Sequence, residues 1–252
     1  MSAGSCSLPA QMGDRDASSE PRPRRRSPLR LAARLERLGS AHSYAYVLAL
    51  IALTFSALFA LPDENWALSV VALIECAMLA VALWASGLGR WRPATALVAL
   101  GVTVAVVELL RGGATLEGLV WLLLLVLGLA TIVVIGLGVV DQREINRQSI
   151  SGAVCAYLLV GIVFTFVYGA VADLGSGDFF AQGTDGTTSE RVYFSYVTVA
   201  TLGYGDFTPA GSLGRALAVS EALLGQLYLV TIVALLVGRF GQKRPEPGPL
   251  RG

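Results

Sequence analysis

The sequence predicts an all-α integral membrane protein of six transmembrane helices, with a re-entrant segment between the fifth and the sixth. Three observations carry this expectation. The chain is 54% hydrophobic and only 15% charged, whereas ordinary soluble domains are about 45–50% apolar, so lipid is the solvent for most of it. Six stretches approach the roughly 20 mostly apolar residues that a bilayer core requires. The connection between the last two is far longer than the others, and its second part is too apolar to lie in water.

The elements follow in chain order. Residues 1–42 include the basic, proline-rich run PRPRRRSPLRLAARLERLG (21–39), which reads as a cytoplasmic tail near anionic lipid headgroups. Nothing aromatic is interleaved with these arginines, which argues against a nucleic-acid surface. The apolar stretches are 43–61, 66–86, 93–110, 118–140, 150–172 and 213–240. The first begins beyond residue 42 and is followed by further spans, so it reads as a retained anchor and not a cleaved signal. With the basic tail inside, Arg90, Arg92, Arg143, Arg147, Arg239, Lys243 and Arg244 all fall on the cytoplasmic side. This satisfies the positive-inside rule at every inner connection and places both termini in the cytoplasm.

Residues 43–140 therefore form a four-helix membrane domain, 141–149 a cytoplasmic linker, and 241–252 a short proline- and glycine-rich tail with no ligand-binding domain attached. Cys6 lies in the tail while Cys76 and Cys155 lie in apolar runs, so no disulfide framework is implied. His42, the single histidine, reads as an interfacial residue. Its isolation excludes histidine-rich metal sites and Ser-His-Asp catalysis. No enzyme and no cofactor are indicated.

The long connection has two parts. Residues 173–188 are glycine-rich and acidic and read as an outer loop. The stretch RVYFSYVTVATLGYGDFTP (191–209) is too short to cross a membrane and return as two spans, so it is expected to dip in and come back. A short helix is expected over 189–200, with Ser189 as a possible N-cap. TLGYGD (201–206) cannot continue it comfortably, because Gly203 and Gly205 favour left-handed-accessible backbone. Non-helical backbone is tolerated at membrane depth only where protein buries it or water reaches it. Glycines alternating with larger residues let successive carbonyls point one way, giving a row of oxygen ligands for a desolvated cation. Thr201 adds a hydroxyl at the inner end, and the negative C-terminal end of the short helix favours a cation there.

TVATLGYGD (198–206) resembles the selectivity filter of the potassium channel family, in which four such loops surround an axis. The likeness extends over 150–240. Pro209, Gly214 and Arg215 stand as in the outer mouth and inner-helix start of many members, and Gly225 falls where the family places an inner-helix hinge. Tyr193 and Phe194 occupy aromatic positions of the pore helix, and Thr198 that of the threonine behind the filter. The resemblance implies an outer helix (150–172), a pore helix (189–200), a filter (201–206) and an inner helix (213–240). It implies a homotetramer in the cell membrane whose K+ ions are held by Thr201, Leu202, Gly203 and Tyr204, with Gly205 and Asp206 completing the filter. Leu202 replaces the usual valine or isoleucine. Val197 stands where some bacterial members carry a glutamate that pairs with the filter aspartate, leaving Asp206 to Tyr193.

Six spans with one filter loop also resemble voltage-gated cation channels, but the fourth stretch (118–140) has no arginine. A voltage sensor needs several, since one charge moved yields only about 2.3 kcal/mol per 100 mV, so steep voltage gating is not expected. Intramembrane carboxylates are functional candidates. Glu108 reads as a helix-end residue pairing with Arg111, and the role of Glu75 is open. Glu221, one turn before Gly225, would face either a neighbouring helix or a cavity that Gln226 lines. Gly136 and Gly138 in VVIGLGVVD (133–141) lack the βαβ context of a dinucleotide fingerprint and read as helix-interface residues. The functional expectation is passive K+ conduction. The alternatives are a cation transporter subunit, which would show several filter-like loops per chain, and a non-conducting sensor on the same fold.

Overall fold

The computed structural model describes residues 43–87, 92–111, 117–140 and 147–240. The basic tail with Cys6 and His42, Arg90, Arg143 and the residues after Phe240 lie outside the described residues. So do the side chains of Arg111, Arg147 and Arg239, and with them the Glu108–Arg111 pairing.

The described residues form seven helices: α1 (Ser43–Ala60), α2 (Asn65–Ala85), α3 (Arg92–Arg111), α4 (Glu117–Val140), α5 (Arg147–Leu174), α6 (Thr188–Val199) and α7 (Ser212–Phe240). Among them the only β pairing is isolated, joining Phe180 to Thr184 and to Pro209. Five helices, α2, α3, α4, α5 and α7, are long and apolar enough to cross a membrane; the apolar part of α1, Tyr44–Ala60, is shorter. The regular structure of the described residues is thus all helical, with multiple membrane-spanning candidates.

Local chemistry sets the ends. Leu, Ala and Val fill the helix interiors, and breakers sit between them. Pro62, which has no N–H to donate, follows α1. Gly87 (φ 74°) closes α2, its N–H donating to Trp84 O at 3.3 Å, a left-handed stop that a residue with a Cβ resists. Pro93 lies in the first turn of α3, where a missing N–H costs nothing. The outer helix is longer than the expected 150–172, since 147–149 join it from the linker and Asp173 and Leu174 from the outer loop.

One apolar core joins α1, α2, α4 and α5 through Val47, Ile51, Leu79, Leu124, Ile135, Leu159 and Phe166, all buried. Glycines set the closest approaches. A Cβ at Gly169 of α5 would lie 2.5 Å from the Trp121 ring of α4, so that indole seats on bare backbone. A Cβ at Gly138 would meet Tyr44 Oη at 2.6 Å and Ser86 Cβ at 2.7 Å, whereas one at Gly136 finds nothing within 4 Å. The helix-interface reading therefore holds for Gly138 and not for Gly136.

Inside this core Glu75 is completely buried, and neither carboxyl oxygen has a hydrogen-bond partner. Thr54 of α1 is the polar side chain that faces it. Cys76 and Cys155 are buried free thiols.

Candidate functional site

The site is built on α6, a helix of 12 residues. Its N-cap is Thr187 and not Ser189. Thr187 Oγ1 accepts from Glu190 N at 3.2 Å while Glu190 Oε2 accepts from Thr187 N at 2.7 Å, the reciprocal capping box that the spacing Thr187–Glu190 permits. Ser189 only shares a hydroxyl contact of 3.0 Å with Thr187. Asp63, in the α1–α2 turn, accepts from Thr188 N at 2.9 Å and ties this end of α6 to the four-helix domain.

The other end of α6 turns into an extended segment. Ala200 (φ −81°, ψ 0°) is the C-cap, donating to Tyr196 O. Thr201 N bonds to Thr198 O at 2.9 Å and Leu202 N to Val197 O at 2.9 Å, so the last-turn carbonyls are occupied by the segment's own amides. Thr201 then adopts φ 56°, Gly203 φ 57° and Gly205 φ 80°, while Leu202 and Tyr204 between them stay at negative φ. A strand of uniform hand points its carbonyls alternately to two sides. Alternating the hand at every second residue brings successive carbonyls to one side, the arrangement in which backbone oxygens replace a cation's hydration shell. Thr201 is the one non-glycine with positive φ among the described residues, a conformation that costs on the order of 1–3 kcal/mol. A Cβ at Gly203 or Gly205 would meet no atom of its own chain within 4 Å, so within one copy the need for glycine lies in backbone conformation.

Side chains brace the segment. Tyr193 Oη donates to Asp206 Oδ2 at 2.8 Å, Asp206 Oδ1 accepts from Phe207 N at 3.1 Å, and the Tyr193 and Tyr204 rings stack at 6.4 Å. The Asp206 carboxylate, by accepting that bond, raises the Tyr193 phenol above its ordinary pKa. Phe194 is buried with Tyr168, Phe179 and Phe180, and Thr198 Oγ1 donates back to Phe194 O at 2.7 Å. Leu202 is largely exposed on the single chain.

The outer loop closes over this segment. Gln182 Nε2 donates to Asp206 O at 2.7 Å, Ala181 N to Thr208 O at 2.8 Å, and Ala210 N to Phe179 O at 2.9 Å. Pro209, Gly214 and Arg215 come together here: Arg215 Nε donates to Pro209 O at 3.2 Å, and a Cβ at Gly214 would stand 2.8 Å from Pro209.

On α7, Glu221 is fully buried between Ser195 of α6 and Tyr168 of α5. It faces neighbouring helices, not open space. Gly225 is also buried, where a Cβ would lie 2.7 Å from Val199 Cγ2 and 2.8 Å from Val199 O. The helix runs unbroken through it. Gln226 is exposed on the single chain.

Several bracing residues escaped the sequence reading. Tyr157 Oη reaches Val199 O at 3.3 Å and Tyr196 Oη reaches Leu158 O at 2.8 Å, so both tie α6 to α5. Arg191 lies 5.1 Å over the Trp121 ring with Nη1 3.6 Å from Asp173, whose Oδ2 accepts from Trp121 Nε1 at 2.7 Å. Burial lowers the Arg191 guanidinium below its ordinary pKa, against the opposing pull of Asp173, Asp63 and Asp185. An arginine set among the aromatic residues of α6 was the available signal. Gln182 and Ser195 carried none, because their partners are distant in sequence.

A family model described as an ion channel matches residues 152–242, while no curated protein and no solved structure matches the chain. The matched stretch contains nearly all of α5, then α6, the alternating segment at 201–205 and all of α7. Residues 152–242 of this multi-pass helical chain are therefore similar to an ion channel domain.

Proposed function

We propose that four copies of this chain form a potassium-selective channel in the cell membrane. Each copy contributes one filter loop, with α1 completing six spans, both termini cytoplasmic, and α6 with residues 201–206 dipping into the pore as its re-entrant element. K+ sheds water onto the carbonyls of Thr201, Leu202, Gly203 and Tyr204 and moves by knock-on between adjacent sites. The observation that carries this reading is the alternating hand of Thr201, Gly203 and Gly205 at the C-terminal end of a short braced helix. Two further features support it. Asp206 sets a fixed carboxylate at the end of the segment, where it draws cations in. The exposed apolar face of α7, with Leu223, Leu227 and Val230, suits packing against other copies.

The test is ion flux through the purified chain in liposomes, with Gly203→Ala as the comparison. An alanine at φ 57° meets no neighbour, so its cost of about 1–2 kcal/mol per copy is backbone strain, relieved by turning a carbonyl off the axis. K+ flux well above Na+ flux, lost in the variant, is expected. Equal flux in the variant, or equal passage of Na+, would refute the reading.

A further inference from the structure

Glu221 carries an inference beyond this function, and it comes from counting hydrogens. Its Oε1 lies 2.5 Å from Ser195 Oγ and its Oε2 2.5 Å from Tyr168 Oη. Ser195 Oγ is also 2.7 Å from Gly161 O, and that carbonyl can only accept. These are three oxygen–oxygen contacts, each requiring one hydrogen. Ser195 and Tyr168 supply one each, and Gly161 O already accepts a second bond from Thr165 Oγ1 at 2.9 Å. With an ionised carboxylate, one contact would be two bare acceptors pressed together in a buried place. Tyr168 from α5 and Ser195 from α6 face the carboxyl, with the Tyr196 hydroxyl in electrostatic reach; no charged side chain among the described residues does.

We infer that Glu221 is held as a neutral carboxylic acid, donating to Ser195 and accepting from Tyr168, and that this bridge positions α6 for conduction. The chain of donors runs Tyr168 to Glu221 to Ser195 to Gly161 O. It joins α5, α6 and α7 behind the helix that leads into residues 201–206, so Glu221 is a positioning residue that links the inner helix to the ion-binding backbone. The conducting role rests on the channel reading above.

The bridge has a specific substitution pattern. Glutamine at 221 offers an NH2 to Ser195 and a C=O to Tyr168, reproducing the neutral acid, while alanine leaves the buried Tyr168 hydroxyl unpaired and Ser195 with Gly161 O alone. The experiment uses the full chain in K+-loaded liposomes, with infrared difference spectra recorded on the same samples. Glu221→Gln is expected to remove one protonated-carboxyl C=O band at neutral pH and to keep flux. Glu221→Ala is expected to lose flux by about tenfold or more, because it breaks the bridge from α7 and leaves the buried Tyr168 hydroxyl without an acceptor. Tyr168→Phe, which only frees the carbonyl, is expected to move that band to higher frequency and covers the case in which Glu221→Ala fails to fold. The inference is overturned if Glu221→Gln removes carboxylate bands instead, if its flux falls as far as that of Glu221→Ala, or if Tyr168→Phe leaves the band in place. Absence of K+ flux in the unaltered chain would refute the channel reading instead, and the infrared band would still decide the state of Glu221.

Discussion

Gly225→Ala separates two reasons for having a glycine at the middle of α7. A hinge needs glycine for its backbone freedom. The structure supplies a different need, since a Cβ would fall 2.7 Å from Val199 Cγ2 and 2.8 Å from Val199 O, the last residue of α6. Two opposed effects decide the magnitude. Alanine in place of glycine favours a helix interior by about 1 kcal/mol, while forcing a methyl into a filled contact costs about 1–3 kcal/mol. The expected net loss is therefore roughly 0–2 kcal/mol, too small an effect to be diagnostic alone. The double variant with Val199→Ala is diagnostic. Removing Cγ2 takes away one of the two clashes, so Gly225→Ala should cost less there by at least about 0.5 kcal/mol, the usual scale for touching residues. The assay is reversible unfolding of the full chain in mixed micelles, followed by helical circular dichroism. Changes that add within about 0.3–0.5 kcal/mol would refute the close-approach reasoning and leave backbone freedom as the reason for the glycine.

Two further predictions concern groups away from this contact. Glu75 is buried with both oxygens unpartnered, so Glu75→Leu is expected to stabilise the chain in the same micelle assay by about 1–3 kcal/mol, the cost of an unsatisfied buried polar group; a lowered unfolding midpoint would show that the carboxyl is satisfied or needed. The Tyr193 phenol is raised by its bond to Asp206, so the stabilisation from that bond is complete below the ordinary tyrosine range and is lost as pH rises through the higher folded value. The phenolate absorbance missing in Tyr193→Phe should therefore develop above the pH at which free tyrosine ionises, and titration at or below the ordinary value would contradict the bond.

Much of this was legible in the sequence because it depends on local chemistry. The long apolar helices follow from runs ended by breakers such as Pro62 and Gly87, and each run fixes its own backbone hydrogen bonds. The break after α6 was also legible, since Gly203 and Gly205 signal their own conformation. The N-cap was misplaced by two residues although the sequence held the signal, since Thr187 has Glu190 three residues on, the spacing of a capping box, and Ser189 has Val192. Gly136 and Gly138 look alike in the sequence, yet only one meets a neighbour.

The sequence by itself determined that this is a membrane chain with one short glycine-alternating segment between two long apolar helices, because bilayer thickness and backbone conformation act on consecutive residues. Only the tertiary structure decided what holds that segment in place. Tyr193 with Asp206, Gln182 with the same residue's carbonyl, and Glu221 with Ser195 and Tyr168 join positions 13 to 53 apart. No local periodicity encodes such pairs. They exist because α5, α6 and α7 pack closely enough to bury polar groups, and a buried polar group must find its partner wherever the fold brings one.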